Sequence, residues 1–423
     1  MQHIKFKFKF TPISAALILL LGSGSAFATD GYFSTGYSVK TQGVGGAAIA
    51  YPQDGLAAAA NPAGTAWVDS QINAGITLFT PNRNAEITSS PVPGANASYD
   101  GNGTKNFLLP EFGYTQKISN STSVGVAVFG NGGMNSDYSK SPFAAYGGQG
   151  SAGVNLEQLF IEPSVAYNVD DNNTFGVGVN LAYQRFSAKG LQGFSTSSID
   201  SANLTNRGND SSTGLGLHLG WLGHVTNELT LGLTWSSKIN ASKFKNYSGL
   251  FADGGSFDIP ASYGVGAAFK ATPALTLTAD AQEIKYGQIN SIANPLSNLF
   301  AGNPLGSKNG PGFGWKDVSV LKLGASYDVD PSVTVRAGYN HSGQPIQADQ
   351  TLFNILAPGV VQDHLSFGAS WKTSATGELS AFYAHAFKKQ IDGANSIPAG
   401  FGGGEAHINL TENSLGVAYA WKL

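Results

Sequence analysis

From Asp363 the chain alternates, with Leu365, Phe367, Ala369 and Trp371 on one face and His364, Ser366, Gly368, Ser370 and Lys372 on the other. The final segment repeats the pattern, setting Leu415, Val417, Tyr419, Trp421 and Leu423 against Ser414, Gly416, Ala418, Ala420 and Lys422. Two further stretches, 321–328 and 333–340, do the same. A period of two sends successive side chains to opposite faces of a strand. Followed along the chain, it predicts about fourteen strands, near 71–82, 107–118, 122–130, 156–169, 174–189, 211–225, 228–245, 257–271, 274–288, 318–329, 332–342, 363–372, 378–390 and 410–423. These reach the roughly 9–11 residues that a tilted strand needs to cross a hydrocarbon layer.

The same pattern serves a soluble sandwich or propeller, whose apolar faces meet in a core. The connections decide between the two. Short ones (119–121, 170–173, 226–227, 272–273, 330–331, 373–376) alternate with long ones rich in Gly, Asn, Ser and Pro (83–106, 131–155, 190–210, 246–256, 289–317, 343–362, 391–409). Short turns at one end, long loops at the other and an even strand count define an outer-membrane barrel. Charged residues make up only 12% of the chain, about half the share usual in soluble domains. After residue 28 there is no apolar run of the roughly 18 residues that a spanning helix requires, so a membrane must be crossed by strands. The sheet must then close, since an open edge in lipid leaves backbone groups unpaired. Fourteen strands enclose a lumen wider than the eight-strand case that side chains fill.

Residues 1–28 read as a secretory signal peptide: Lys5, Lys7 and Lys9, an apolar run from Ile13 to Leu21, then small residues ending in Ala26, Phe27 and Ala28. Removing them takes three lysines from a chain of net charge −3 and leaves −6, a balance that argues against a nucleic-acid partner. The absence of cysteine excludes a disulfide-stapled scaffold and a thiolate metal site. Seven histidines are scattered without ligand spacing, so neither a metal nor another cofactor is expected. Gly43, Gly45 and Gly46 follow no strand and make no phosphate-binding turn. His218 falls on an inward face with no hydrolase motif around it, and an enzyme is not expected. The inward faces read as mostly Gly, Ala, Ser and Thr with few charges, which favours an apolar solute over the ions and sugars of a general porin.

Residues 29–70 do not alternate. They are rich in Gly and Ala, with a short helix expected over 56–60 and ended by Asn61 and Pro62. Too apolar for a solvated tail, this segment is expected inside the barrel formed by 71–423.

The run GVGGAAIAYPQDGLAAAANPAG from Gly43 resembles the N-terminal hatch of the FadL/TodX family of outer-membrane long-chain fatty acid and hydrocarbon transporters, with Asn61, Pro62 and Ala63 matching its Asn-Pro-Ala triplet. LEQLFIEPSVAYNV from Leu156, IPASYGVGAAFKATPALTLTADAQ from Ile259, WKDVSVLKLGASYDVDPSVTVRAGYNHSGQPI from Trp315 and DHLSFGASWKT from Asp363 extend the likeness across the mature chain. The C-terminal Leu423 departs from it, since such barrels usually end in Phe or Trp.

The resemblance implies a 14-stranded antiparallel transmembrane β-barrel in a Gram-negative outer membrane, with the hatch inside its lumen. It implies passive uptake of hydrophobic small molecules, long-chain fatty acids or aromatic and aliphatic hydrocarbons, with lateral exit at a kink in the third strand. Gly130, Asn131, Gly132 and Gly133 stand where that kink falls, or else begin a loop. Leu191 and Phe194 in the third long loop, and Leu250 and Phe251 in the fourth, match the loops that relatives use for ligand capture; alternatively they pack together as a cap. Leu296, Leu299, Phe300 and Leu305 add apolar side chains in the fifth. Lys238, Lys243, Lys245, Arg185, Lys388 and Lys389 sit at extracellular strand ends, where lipopolysaccharide phosphates or solvent are expected. Outer-membrane lipid and the barrel-assembly machinery are the other expected partners. The rival readings are a surface adhesin or receptor barrel and a general diffusion porin.

Overall fold

The computed structural model describes residues 30–423. The expected signal peptide lies outside them. Fourteen long strands form one antiparallel sheet: β1 Gln71–Thr88, β2 Phe107–Lys117, β3 Thr122–Tyr138, β4 Ala152–Asn168, β5 Asn173–Lys189, β6 Asp210–His224, β7 Leu229–Ser236, β8 Ser262–Lys270, β9 Leu275–Ile284, β10 Val318–Asp330, β11 Val333–Ser342, β12 Asp363–Lys372, β13 Gly377–Ile391 and β14 Glu405–Lys422. Each pairs with its sequence neighbours, and β14 pairs with β1 from Gln71↔Lys422 to Thr88↔Glu405, closing the barrel. A further short strand, Ala97–Asp100, pairs with the outer end of β1.

The alternation is inverted relative to a soluble protein. Along β12, Leu365, Phe367 and Trp371 are exposed while His364, Ser366 and Ser370 are buried. Phe175, Leu215, Val265 and Leu415 continue the outward apolar surface around the barrel. Each such side chain left in water forgoes about 1.5–3 kcal/mol, so this surface is stable only in lipid.

Short turns are held by their own side chains. Asp170 Oδ1 accepts from the amides of Asn172 (2.8 Å) and Asn173 (2.7 Å), and Asp330 Oδ1 from those of Ser332 (2.7 Å) and Val333 (3.0 Å).

Several strands differ from the predicted spans. β1, β3, β4 and β14 extend further into what reads as loop, giving one side of the barrel a taller wall. The segments predicted as 228–245 and 257–271 are shorter, ending at Ser236 and beginning at Ser262, because the chain between them leaves the regular ladder and keeps the isolated bridges Ile239↔Ile259 and Gly214↔Ala241.

Residues 30–70 are packed against the inner wall. Ser38 caps a one-turn helix, Val39–Gly43, through a capping box with Thr41. A second helix, Ala57–Ala60, ends at Asn61, whose side chain caps the 3-10 turn Pro62–Ala66. Such irregular backbone carries amides with no ladder partner, and buried amides must find acceptors. The wall supplies them. Asp280 accepts from Ala48 N (2.7 Å) and Ile49 N (2.9 Å), Glu111 from Val39 N (3.1 Å), Asn73 from Gly55 N (2.8 Å) and Ser366 from Gly45 N (3.0 Å). Lys322 donates to Thr35 O (2.7 Å) and Arg336 to Gln53 Oε1 (2.8 Å). The expectation of few inward charges is thereby corrected: Glu111, Glu162, Asp280, Lys322, Arg336 and Glu412 are all buried inside the barrel. Several of these charges serve the inner segment's backbone, a demand invisible in a strand read by itself.

Wall glycines complete the seat. A Cβ at Gly113 would lie 2.4 Å from Gly55 C, at Gly176 2.1 Å from Ala63 N, at Gly220 1.9 Å from Asn61 Oδ1, and at Gly338 2.0 Å from Gly45 N. The inner segment is therefore pressed backbone to backbone against the strands.

Candidate functional site: a loop cavity above a gap in the wall

The long loops fold over the outer end of the barrel and bury an apolar core. Leu191 and Phe194 from the third loop and Leu250 and Phe251 from the fourth line one cavity. Phe186, Leu305, Phe313 and Phe353 complete most of its lining. Leu191, Phe194 and Phe251 are buried and Leu250 is partly so, and they form no open groove at the surface. Phe186 packs on Phe251 (centroids 4.6 Å), Tyr247 (4.8 Å) and Phe244 (5.7 Å). Ser248 Oγ donates to Asp200 Oδ2 (2.6 Å), tying the fourth loop to the third. That bond first, and then the Asn203 amide, hold the Asp200 carboxyl below the usual carboxylate range.

The free volume of the cavity is about 40 Å³. An engineered apolar cavity that binds benzene is near 150 Å³. A ring can thus be held only when the lining moves, and aromatic and leucine side chains on loops can do so.

Beneath the cavity the wall is interrupted. β3 pairs with β2 from Ser123↔Lys117 to Val128↔Phe112 and no further, while β2 continues along β1 to Phe107. Against β4 the register of β3 slips between Gly130 and Gly132, leaving Asn131 as the extra residue of a bulge. Gly130, Asn131, Gly132 and Gly133 therefore lie inside a strand and do not begin a loop. The bulge swings β3 away from β2, and the separation continues until the first loop rejoins at Asp137, whose backbone O accepts from Gly103 N (2.9 Å).

The leading residues of the inner segment stand in this break. Ser34 N donates to Asn131 O (3.0 Å), and Gly133 N to Tyr32 O (3.0 Å). A Cβ at Gly132 would lie 2.0 Å from Tyr32 O, so only glycine admits this strand-like contact. Tyr286 Oη donates to Asp30 O (2.6 Å) and accepts from Tyr32 N (3.1 Å) and Phe33 N (3.2 Å). Asn131, Gln158 and Gln184 form a buried amide relay, at 3.0 and 2.8 Å, that ends on Phe257 O (2.9 Å). Tyr32 packs on Phe257 (6.2 Å), and Phe257 on the cavity residue Phe251 (4.8 Å). An aromatic path thus joins the cavity to the break in the wall.

Asn61, Pro62 and Ala63 lie away from the break. Asn61 Nδ2 donates to Ile49 O (2.9 Å), Trp221 O (3.0 Å) and Leu233 O (3.3 Å), and its Oδ1 accepts from Ala63 N (3.1 Å). One side chain therefore fastens the inner segment to β6 and β7.

His218 is buried, with Nδ1 2.8 Å from Glu162 and Nε2 2.8 Å from Thr234. Among the basic residues assigned to the outer rim, Arg185 pairs with Glu157, Lys238 with Asp258 and Lys243 with Asp253, whereas Lys388 and Lys389 are exposed. Sequence reading missed Tyr32, Tyr286 and Asp280, since nothing local marks an aromatic or a carboxylate as a partner for backbone some 250 residues away.

Among the described residues a closed 14-stranded barrel, apolar on its outer face, holds an inner segment in its lumen, an apolar loop cavity above it and a break in its wall, the architecture of an outer-membrane barrel. The chain belongs to the outer membrane protein transport family OMPP1/FadL/TodX, whose family model matches residues 25–419. A search of curated proteins found no match. Among solved structures, a FadL homologue of Pseudomonas aeruginosa superposes with a TM-score of 0.70 at 17% identity, covering 92% of this chain and 99% of that one. The toluene transporter TodX of Pseudomonas putida gives 0.67 at 17% identity with the same coverages. The toluene transporter TbuX of Ralstonia pickettii gives 0.63 at 16%, again over 92% and 99%. The protein is an outer-membrane β-barrel of a transport family.

Proposed function

We propose that the chain takes up small hydrophobic molecules, single-ring aromatics foremost, into the loop cavity and releases them sideways into the bilayer through the break at Gly130–Gly133. The observation that carries this reading is the break itself, filled by Tyr32–Ser34 and reached from the cavity through Phe251 and Phe257. The aromatic lining and the toluene transporters among the solved relatives support the choice of ligand class. Long-chain fatty acids are the second class, supported by the FadL homologue. A lateral exit spares the ligand a passage through water, which for a seven-carbon hydrocarbon costs roughly 6 kcal/mol at about 0.8 kcal/mol per carbon.

In this mechanism the hatch is fixed at Asn61–Ala63 and opens at its leading end, where Tyr32 and Phe33 withdraw from Gly132. A ligand gradient drives the flux. The filled lumen and its buried ion pairs count against a general porin, and the enclosed loop core counts against an adhesin.

Deleting Asn131 tests the exit. The deletion removes the bulge and lets β3 run straight, so uptake of radiolabelled toluene by cells carrying the variant should fall to that of cells without the protein, while the barrel still folds. Uptake equal to the parent chain would exclude exit at this point.

A further inference from the structure

The cavity lies beneath the long loops and is lined by buried side chains, which raises the question of where a ligand enters. Phe194, which lines it, meets Phe401 edge to face (5.4 Å, 88°), and Phe401 meets Phe300 in the same way (5.5 Å, 70°). Phe300 is half exposed at the loop surface. A continuous file of rings thus runs from solvent to the cavity across the seventh, fifth and third loops. None of the residues singled out in the third and fourth loops supplies its outer end.

Phe401 is carried by a segment whose backbone hydrogen bonds are mostly its own. The 3-10 turn Ala399–Phe401 lies between Pro398 and three successive glycines, Gly402, Gly403 and Gly404, with φ of 93°, 79° and 111°. Its hydrogen bonds run within it: Phe401 N and Gly403 N donate to Pro398 O (2.8 and 3.1 Å), and Gly402 N to Ala399 O (2.9 Å). At its base Ile397 N donates to Gly404 O (3.2 Å). The flap is held down by ring contacts and by Gly402 against Val92. Gly400 gives Phe300 room, since a Cβ there would lie 2.4 Å from its ring.

We infer that Pro398–Gly404 is an entry flap and Phe401 its gate ring, and that a single-ring aromatic hydrocarbon is admitted by stacking on Phe300 and taking the place of Phe401 beside Phe194. The inference rests on the transport reading and names the portal and the ligand class it selects. A planar ring can restore the edge-to-face contacts that Phe401 gives up, whereas a flexible chain cannot.

A disulfide provides the test. A Cβ at position 402, where a φ of 93° strains any side chain, would lie 3.8 Å from Val92 Cβ, the mean separation in disulfides of about 3.8 Å, and the chain has no cysteine of its own. In the Val92→Cys/Gly402→Cys chain, the initial rate of radiolabelled toluene uptake by cells should fall on oxidation to that of cells lacking the protein, because the bond holds Phe401 against Phe194, and return on reduction. Equal rates in the two forms overturn the flap. If neither the parent chain nor the reduced variant exceeds cells lacking the protein, the transport reading itself falls. Phe401→Ala keeps the inference testable should the paired variant fail to fold: its uptake rate should rise several-fold, and an unchanged rate rejects the gate.

Discussion

Gly132→Ala is the most incisive perturbation. The added methyl would sit 2.0 Å from Tyr32 O, where carbon and oxygen need roughly 3.4 Å, so the leading segment must retreat by about 1.4 Å. That movement breaks the bonds Ser34 N to Asn131 O and Gly133 N to Tyr32 O, both 3.0 Å. At about 1 kcal/mol each, their loss favours the withdrawn state by about 2 kcal/mol, a roughly 30-fold rise in its share. A cysteine placed at Phe33 reports on it without background, because the chain contains no other. In detergent-solubilised protein, the rate at which a maleimide labels Phe33→Cys should rise about 30-fold in the Gly132→Ala background. The barrel itself should keep its compact mobility in unheated gels. An unchanged labelling rate would mean that Tyr32 and Phe33 do not close the break by this contact, and the proposed exit would lose its gate.

Asn61→Ala removes the two amide protons shared among three carbonyls, and a cap, and should lower barrel stability by about 1–3 kcal/mol, read as an earlier heat-induced gel shift. Asp280→Ala leaves the amides of Ala48 and Ile49 without their acceptor; at about 1–3 kcal/mol per stranded group, the inner segment should loosen enough for trypsin to cut faster than in the parent chain at Lys40, which is paired with Glu378 there. Phe251→Ala should cost about 3–5 kcal/mol of loop packing and enlarge the cavity, so that naphthalene, followed by its fluorescence, binds the variant and not the parent.

Much of the architecture was legible in the chain. Alternation at Leu365–Trp371 and Leu415–Leu423 fixes which side chains face out, because a strand has no other way to place them. Short turns such as Asp170–Asn173 carry their own hydrogen-bond acceptors, so the spacing of strands could be read from local chemistry. The composition of the leading segment led to its expected place in the lumen, and the Asn-Pro stop marks the end of its helix at Ala57–Ala60. The break at Gly130–Gly133 was legible as a position but not as a geometry. Four glycine-like residues permit a bulge or a loop start equally, and only the pairing of β4 with both sides of Asn131 selects the bulge.

Tertiary structure alone decided the rest, and the reason is common to every case. Leu191, Phe194, Leu250 and Phe251 are apolar loop residues in any reading, but whether they lie open or enclosed depends on Phe313 and Phe353, which reach them from loops 62 to 162 residues further along. Glu111, Asp280 and Lys322 looked like rare charges on small-residue strands, and their purpose appears only when the amides and carbonyls of the inner segment are set opposite them. Periodicity along a strand determines the direction of a side chain; the identity of what it meets is settled by closing the sheet, which brings Asp30 beside Tyr286 and Phe194 beside Phe401.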